Sequence, residues 1–234
     1  VSQQRVTVLI PRREDGARRD EIWSYVKSRW AGWDLHEGHH TDGPFNRSAA
    51  INQASRSAGD WDVAVIADSD SFVGEDQLQV AIDGCWSDGR MWLAYTEYGY
   101  LDWPMSDRIM AGYTGDWLPG VEFTMTNTCS SMVVVRRDVW NQCRGFDEGF
   151  RGWGFEDIAF SHSAQTFGGG LSRAPGRCWH LKHLPSIERS PQQDTVNRLR
   201  AERYHAVAYD KPAMRALIDE LRADDPSAVG QDGP

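Results

Sequence analysis

The run Val63-Ala64-Val65-Ile66-Ala67 limits the architecture more than any other part of the chain. Five consecutive apolar residues, two of them valine and one isoleucine, with no polar alternation, describe a strand buried on both faces. Such a strand needs packing layers above and below it, which points to an α/β domain. Arg5-Val6-Thr7-Val8-Leu9-Ile10-Pro11 has the same character and is stopped by proline. Between the two strands, Ile22, Val26, Arg29 and Trp30 mark an amphipathic helix, and Trp33-Asp34-Leu35 opens a second, shorter strand. A break at Gly43-Pro44 then launches a helix with Ala50, Ile51 and Ala54 on one side.

The polar residues at the ends of these elements are the chemical candidates. Arg12 and Arg13 follow the first strand, where an open α/β sheet binds its ligands, so they suit an anion such as a diphosphate; exposed loop arginines are the plainer reading. The central strand runs into Asp68-Ser69-Asp70. Carboxylates one residue apart at a strand exit can place one on a metal ion and the other on a ribose or a metal-bound water. His180 and His183, three residues apart after a strand beginning at Arg177, add imidazole nitrogens to the candidate metal site.

Further along, Gly145 to Gly154 alternates glycine with aromatic residues and cannot be regular structure. From Phe155 the spacing of Ile158, Ala159 and Ala164 predicts a helix with Glu156 and Asp157 in its first turn, where the helix dipole favours carboxylates. Other expected elements are a helix from Gln77 to Trp86, strands at Met91–Tyr95 and Ser131–Val135, a helix stop at Gly168-Gly169-Gly170, and a last helix carrying Met214, Leu217, Ile218 and Leu221. Glu97 to Thr128 reads as a long irregular segment whose aromatics could wall a sugar or base site. Arg189 to Arg203 is locally basic, either a cover over an anionic ligand or the solvated face of a helix.

With 234 residues and 40% hydrophobic content the chain fits one domain, read here as residues 1–223 followed by a disordered tail at 224–234. Net charge of −9 argues against a general nucleic-acid-coating role. Eleven tryptophans exceed what such a core needs and suggest stacking surfaces for a ring-bearing ligand. Cys85, Cys129, Cys143 and Cys178 form no paired motif, so reduced thiols are expected. No apolar run reaches membrane-spanning length, and the reading is of a soluble, cytoplasmic protein without a membrane partner.

In this order the motifs resemble those of the GT-A nucleotide-sugar glycosyltransferases, most of all the pattern shared by the β-1,4-galactosyltransferases and the polypeptide N-acetylgalactosaminyltransferases. The resemblance spans residues 5 to 185. Ile10-Pro11-Arg12-Arg13 is similar to the family's Ile-Pro-Phe-Arg strand end, whose arginine meets the donor nucleotide, and Phe45-Asn46-Arg47 to the segment flanking the uridine. Asp68-Ser69-Asp70 resembles the DxD motif, with Asp70 in the metal-ligand place. Gly152-Trp153-Gly154-Phe155-Glu156-Asp157 resembles Gly-Trp-Gly-Gly-Glu-Asp, which implies that Trp153 contacts donor and acceptor and that Asp157 takes the catalytic-base position. His183 corresponds to the late metal-binding histidine, and His180 falls where galactosyltransferases carry a methionine ligand. Phe155 departs from the pattern by replacing the second glycine, and the Golgi enzymes' anchor and stem have no counterpart, an expectation of a cytoplasmic, bacterial or viral setting.

The resemblance implies a Rossmann-like mixed sheet flanked by helices and a metal-dependent hexosyltransferase. Pro11, Arg12, Phe45, Arg47, Asp68, Trp153 and Gly154 would hold a UDP-sugar. Asp70, His183 and His180 would hold Mn²⁺, with Mg²⁺ second because the imidazoles soften the site. Asp157, seconded by Glu156, would deprotonate an acceptor hydroxyl and invert the anomeric centre. The acceptor could be a saccharide, a protein side chain or a hydroxymethylated DNA base; only Arg189, Arg198, Arg200 and Arg203 favour DNA. A retaining transferase and a non-catalytic sugar- or nucleotide-binding module of the same fold are the alternatives.

Overall fold

The computed structural model describes residues 4–13, 16–41, 43, 45–152, 154–184 and 190–223. Pro44, Trp153, Arg189 and the 224–234 tail lie outside the described residues. In chain order the elements are β1 (Val6–Arg12), α1 (Ala17–Ser28), β2 (Asp34–His39), α2 (Arg47–Ser57), β3 (Val63–Ile66), β4 (Ser71–Phe72) and α3 (Glu75–Asp88). Next come β5 (Met91–Leu93), β6 (Glu97–Leu101), α4 (Trp103–Met110), a 3-10 turn (Leu118–Gly120) and β7 (Val121–Met125). The chain continues through β8 (Val133–Arg136), α5 (Arg137–Cys143), α6 (Glu156–Gly168), β9 (Leu171–Arg173), β10 (Arg177–His180), α7 (Pro191–Ala206) and α8 (Lys211–Ala223).

The main sheet has the order β2-β1-β3-β8-β5-β9, and a smaller one the order β4-β10-β6-β7. β1 pairs in parallel with both β2 and β3, whereas β8 runs antiparallel to β3 and β5. The expected mixed sheet flanked by helices is therefore what forms. Val8, Leu9, Ile10 and the whole of Val63–Ile66 are fully buried, as their unbroken apolar character requires. α2 lays Ala50, Ile51 and Ala54 against this sheet. Its approach is close at Gly38 of β2, where a Cβ would come within 1.8 Å of the Ala50 carbonyl oxygen, so only glycine fits.

The segment from Glu97 to Thr128, expected to be irregular, instead carries β6, α4 and β7. Asp102 caps α4 by accepting the Met105 backbone N–H at 2.7 Å, with Pro104 in the first turn, and buried Tyr98 and Leu101 tie β6 to the core. The tryptophans are also more structural than their number suggested. Trp23, Trp30, Trp61 and Trp140 are buried, and Trp61 meets Trp140 edge to face at 5.9 Å. Ile158, part of the spacing that predicts the helix, is 38% exposed, while Ala159, Phe160 and Ala164 supply the buried contacts.

The glycine-aromatic loop before α6 is fixed from two sides. From α2, the Asn52 side chain donates to the Phe146 carbonyl and to Glu148 Oε1 and accepts the Phe146 N–H, while Asn46 donates to the Glu148 carbonyl. From α7, Asn197 donates to the carbonyls of Arg151 and Gly154, and Arg200 holds Asp147 through two hydrogen bonds of 2.6 and 2.8 Å. The basic segment is thus a clamp on this loop. Arg198 pairs with Glu202 and Arg203 with Glu220, so these arginines already have carboxylate partners. Removing one buried amide strands several loop groups at once. Asn52→Ala is expected to lower unfolding free energy by about 1–3 kcal/mol, read as a lower urea midpoint with unchanged slope.

Candidate active site

Because β1 and β3 run in parallel, their carboxyl ends share one edge of the sheet, and the loop Ala67–Asp70 leaves from it. β10 returns to the same place: its His180 is paired in register with Ser71 of β4, and the Leu181 N–H donates to the Asp70 carbonyl at 2.9 Å. Residues 110 positions apart are brought together by this pairing. Asp70, His180 and His183 each offer a ligand atom, all within 4.8 Å of one another.

The His183 ring is oriented by its other nitrogen. Nδ1 lies 2.8 Å from the Leu184 carbonyl, which can only accept, so Nδ1 carries the proton and Nε2 faces Asp70 Oδ2 at 3.0 Å. Two lone-pair atoms at that separation require a proton or a cation between them. Burial pushes the Asp70 carboxyl up, but His180, His183 and Arg19 outweigh it and hold it well below the usual carboxylate range. Burial lowers the His180 pKa and favours the neutral, ligating imidazole. Its ring packs against Tyr100 at 4.7 Å, and its Nδ1 has no hydrogen-bond partner. One carboxylate and two imidazoles fit a divalent transition-metal ion better than an all-oxygen cation.

A second cluster adjoins the first through the DxD segment. Arg47, the first residue of α2, donates from Nε and Nη2 to Asp68 Oδ1 at 3.1 and 2.7 Å, and its Nη1 lies 3.5 Å from Glu156 Oε1. Burial opposes the guanidinium charge, but Asp68, Glu156 and Asp157 outweigh that and push its pKa above the ordinary arginine value. Glu156 and Asp157 begin α6 after two left-handed residues, Gly154 at φ 95° and Phe155 at φ 76°. The Ile158 N–H donates to Asp157 Oδ1 at 2.8 Å. Burial, then the neighbouring Asp157 charge, pushes the Glu156 carboxyl up to about 7, although Arg47 pulls the other way; burial also raises Asp157.

The structure gathers Asp68, Asp70, His180, His183, Arg47, Glu156 and Asp157, while Arg12, at the end of β1, has partners of its own. The Arg12 side chain is buried over Trp23, 2.5 Å from Asp20 and 3.8 Å from Glu37, so its charge is balanced within the fold. Pro11 sits beside it in β1, opposite Gly38; half-buried Phe45 precedes Asn46, the cap of α2; and Trp153 is outside the described residues. Sequence reasoning missed Arg19, 3.8 Å from Asp70 Oδ2, because it is one of several charged residues in the first turns of α1 and nothing singles it out. It also missed Ser130, a hydrogen-bond partner of Asp157. A signal existed there: small polar residues just before β8, which is antiparallel to β3, must fall near the carboxyl end of β3.

The family model described as the N-terminal domain of galactosyltransferase matches residues 118–186, a span that takes in Glu156, Asp157, His180 and His183. No curated protein sequence matches the chain. Among solved structures, the chain is similar to a Drosophila β-1,4-galactosyltransferase 7 variant in complex with manganese, UDP-Gal and xylobiose. Identity there is 20% and the TM-score 0.59, over 84% of this chain and 80% of that one. It is also similar to Staphylococcus aureus TarS in complex with UDP-GlcNAc, at 12% identity and a TM-score of 0.57 over 93% of this chain and 71% of that one. At such identities the likeness is one of fold. The fold is thus of GT-A architecture, and residues 118–186 match a galactosyltransferase module.

The elevated Glu156 carboxyl has a consequence for stability. Its folded pKa of about 7 exceeds the ordinary 4.5, so its contribution is fully present below pH 4.5 and is lost as pH rises to about 7. Glu156→Gln, which cannot ionise, should show a flatter pH dependence of unfolding free energy over that window than the unsubstituted protein, measured by urea denaturation at a series of pH values.

Proposed function

We propose that the protein transfers a sugar from a UDP-sugar to a hydroxyl of a saccharide acceptor, with inversion at the anomeric carbon. The observation that carries this reading is the bridge made by Arg47. One guanidinium 2.7 Å from Asp68 and 3.5 Å from Glu156 joins the DxD segment, beside the Asp70-His180-His183 trio, to the carboxylate pair that begins α6. Donor chemistry and acceptor chemistry are thereby assigned to adjoining groups. A divalent ion on the trio, Mn²⁺ before Mg²⁺, supplies positive charge where the departing diphosphate gathers negative charge. Arg47 and Arg19 add fixed positive charge, and Arg47 Nη1 is buried without a hydrogen bond, leaving a donor for a phosphate oxygen.

Asp157 is the base in this reading. It is half-buried, its pKa is raised, and one of its oxygens is fixed by the Ile158 N–H, which leaves the carboxylate oriented to accept the acceptor's proton. Glu156 lies against Arg47 and holds the acceptor or the loop. A saccharide is preferred to DNA as acceptor because Arg198, Arg200 and Arg203 are engaged with Glu202, Asp147 and Glu220. The xylobiose in the Drosophila protein's complex and the UDP-sugars in both relatives' complexes support the same choice.

Two measurements test the assignment. Calorimetry should show a UDP-sugar binding with Mn²⁺ and hardly at all in EDTA, and Asp70→Ala should abolish binding; undiminished, metal-independent binding by that variant would sink the metal role. Asp157→Asn should keep donor affinity while turnover falls by roughly two to four orders of magnitude, whereas Glu156→Gln should also raise the acceptor KM. Proton NMR of the product's anomeric signal separates inversion from retention.

A further inference from the structure

We propose that Tyr100 is a positioning residue for the metal site: its ring, backed by Phe123, holds the His180 imidazole in its ligating orientation, in place of the hydrogen bond that does this for His183. The inference rests on the reading that Asp70, His180 and His183 bind a divalent ion. A ligating histidine is ordinarily oriented by a hydrogen bond at its second ring nitrogen, which keeps the ring from turning its lone pair off the metal. His183 follows this rule through the Leu184 carbonyl at 2.8 Å. His180 does not. Its Nε2 lies 3.8 Å from Asp70 Oδ2, and its Nδ1 is buried with no hydrogen-bond partner among the described residues.

Rings take the place of that partner. The Tyr100 ring centre is 4.7 Å from that of His180, with His183 at 5.0 Å and Tyr98 at 6.1 Å. Sheet register puts Tyr100 there: it lies opposite His180 in the parallel β10 and β6 pair and opposite Phe123 in the antiparallel β6 and β7 pair, so the three side chains form a row on one face. Phe123 stacks on Tyr100 at 4.2 Å with the planes 18° apart. Tyr100 thus has His180 on its inner side and Phe123 on its outer side, and moving off His180 breaks its stack. Phe123 is 49% exposed, so this stack is what an aromatic side chain supplies at an otherwise open position of β7. A bulge beside Tyr100 takes up Glu122 as the extra residue, and Glu122 pairs with Lys182, in the link between the two histidines. β7 therefore supports the histidine segment at two points.

The test measures Mn²⁺ binding to the full chain without UDP-sugar, from the EPR signal of the free ion, with Asp70→Ala marking the binding that belongs to this site. Tyr100→Leu should weaken that binding about tenfold, whereas Tyr100→Phe, which keeps the ring, should stay within about twofold of the unsubstituted protein. Phe123→Ala, at an exposed position, should weaken it about threefold. Co²⁺ bound at saturation gives a second readout, because its visible absorption reports the ligand set. Tyr100→Leu should move that spectrum toward the one given by His180→Ala, and Tyr100→Phe should not; a general loosening of the fold lowers affinity without this change. The proposal is overturned if Tyr100→Leu and Phe123→Ala both leave the affinity unchanged, if Tyr100→Phe loses as much as Tyr100→Leu, or if the Tyr100→Leu spectrum is that of the unsubstituted protein. Asp70-dependent binding indifferent to Tyr100 leaves the metal reading standing without this inference. Binding that survives Asp70→Ala unchanged, or no binding at all, removes both.

Discussion

The largely covered charge of Arg47, its side chain 16% exposed, is the interaction on which the site depends. A guanidinium taken from water is strongly destabilising unless carboxylates surround it, and a cluster of carboxylates is destabilising unless a cation sits among them. Arg47, with Asp68 and Glu156 as direct partners and Asp157 close enough to add to its field, meets both needs at once. The balance is incomplete by design of the geometry: Nη1 is in no hydrogen bond, and Glu156 still titrates near neutrality. Buried polar groups that the fold leaves partly satisfied are a recurrent property of sites that bind charged ligands.

That electrostatic cluster keeps its shape only because the backbone around it is anchored. Asn46 caps α2 by accepting the Ala49 N–H and, through its other end, holds Glu148; it therefore fixes Arg47 and the loop to α6 in one step. Phe146 from the same loop stacks on Phe160 of α6 at 4.0 Å, burying the hinge between loop and helix. On the outer side Tyr204 and Arg200 both reach Asp147. Side-chain amides and a carboxylate thus do for this irregular segment what ladder hydrogen bonds do for a strand, which is how ten residues rich in glycine can present two carboxylates in one orientation.

The parts legible in the sequence were those whose physics is local. Uniform burial of β3, the helical spacing of α2 and α8, and the left-handed stop at Gly169 follow from periodicity and from glycine's backbone freedom. The site residues were legible because their types are chemically unusual at strand ends, and Asp70, His180 and His183 do converge. What escaped was set by tertiary context. β6 and β7 are short and aromatic, with one strand largely exposed, so they show no alternation. The partner of a given arginine could not be read either: Arg12 ends a strand and Arg47 opens a helix, and neither position tells that Asp20 and Glu37 claim the first and Asp68 the second. Arg198, Arg200 and Arg203 looked free in sequence for the same reason.

Phe155 shows how the anchoring and the chemistry meet. The resemblance places a glycine at this position, and the backbone adopts φ 76°, a left-handed conformation that costs a non-glycine residue on the order of 1–2 kcal/mol. The ring recovers part of that cost by packing against the hydrophobic core. It cannot relax into an ordinary helical or extended conformation, because Asn197 holds the Gly154 carbonyl on one side and α6 begins with Glu156 on the other. A relaxed φ at Phe155 would rotate the first turn of α6, carrying Glu156 away from Arg47 and Asp157 away from Ser130. The strain is therefore held by the same contacts that hold the carboxylates, and it persists because the alternative leaves the Arg47 guanidinium with Asp68 as its remaining direct carboxylate partner.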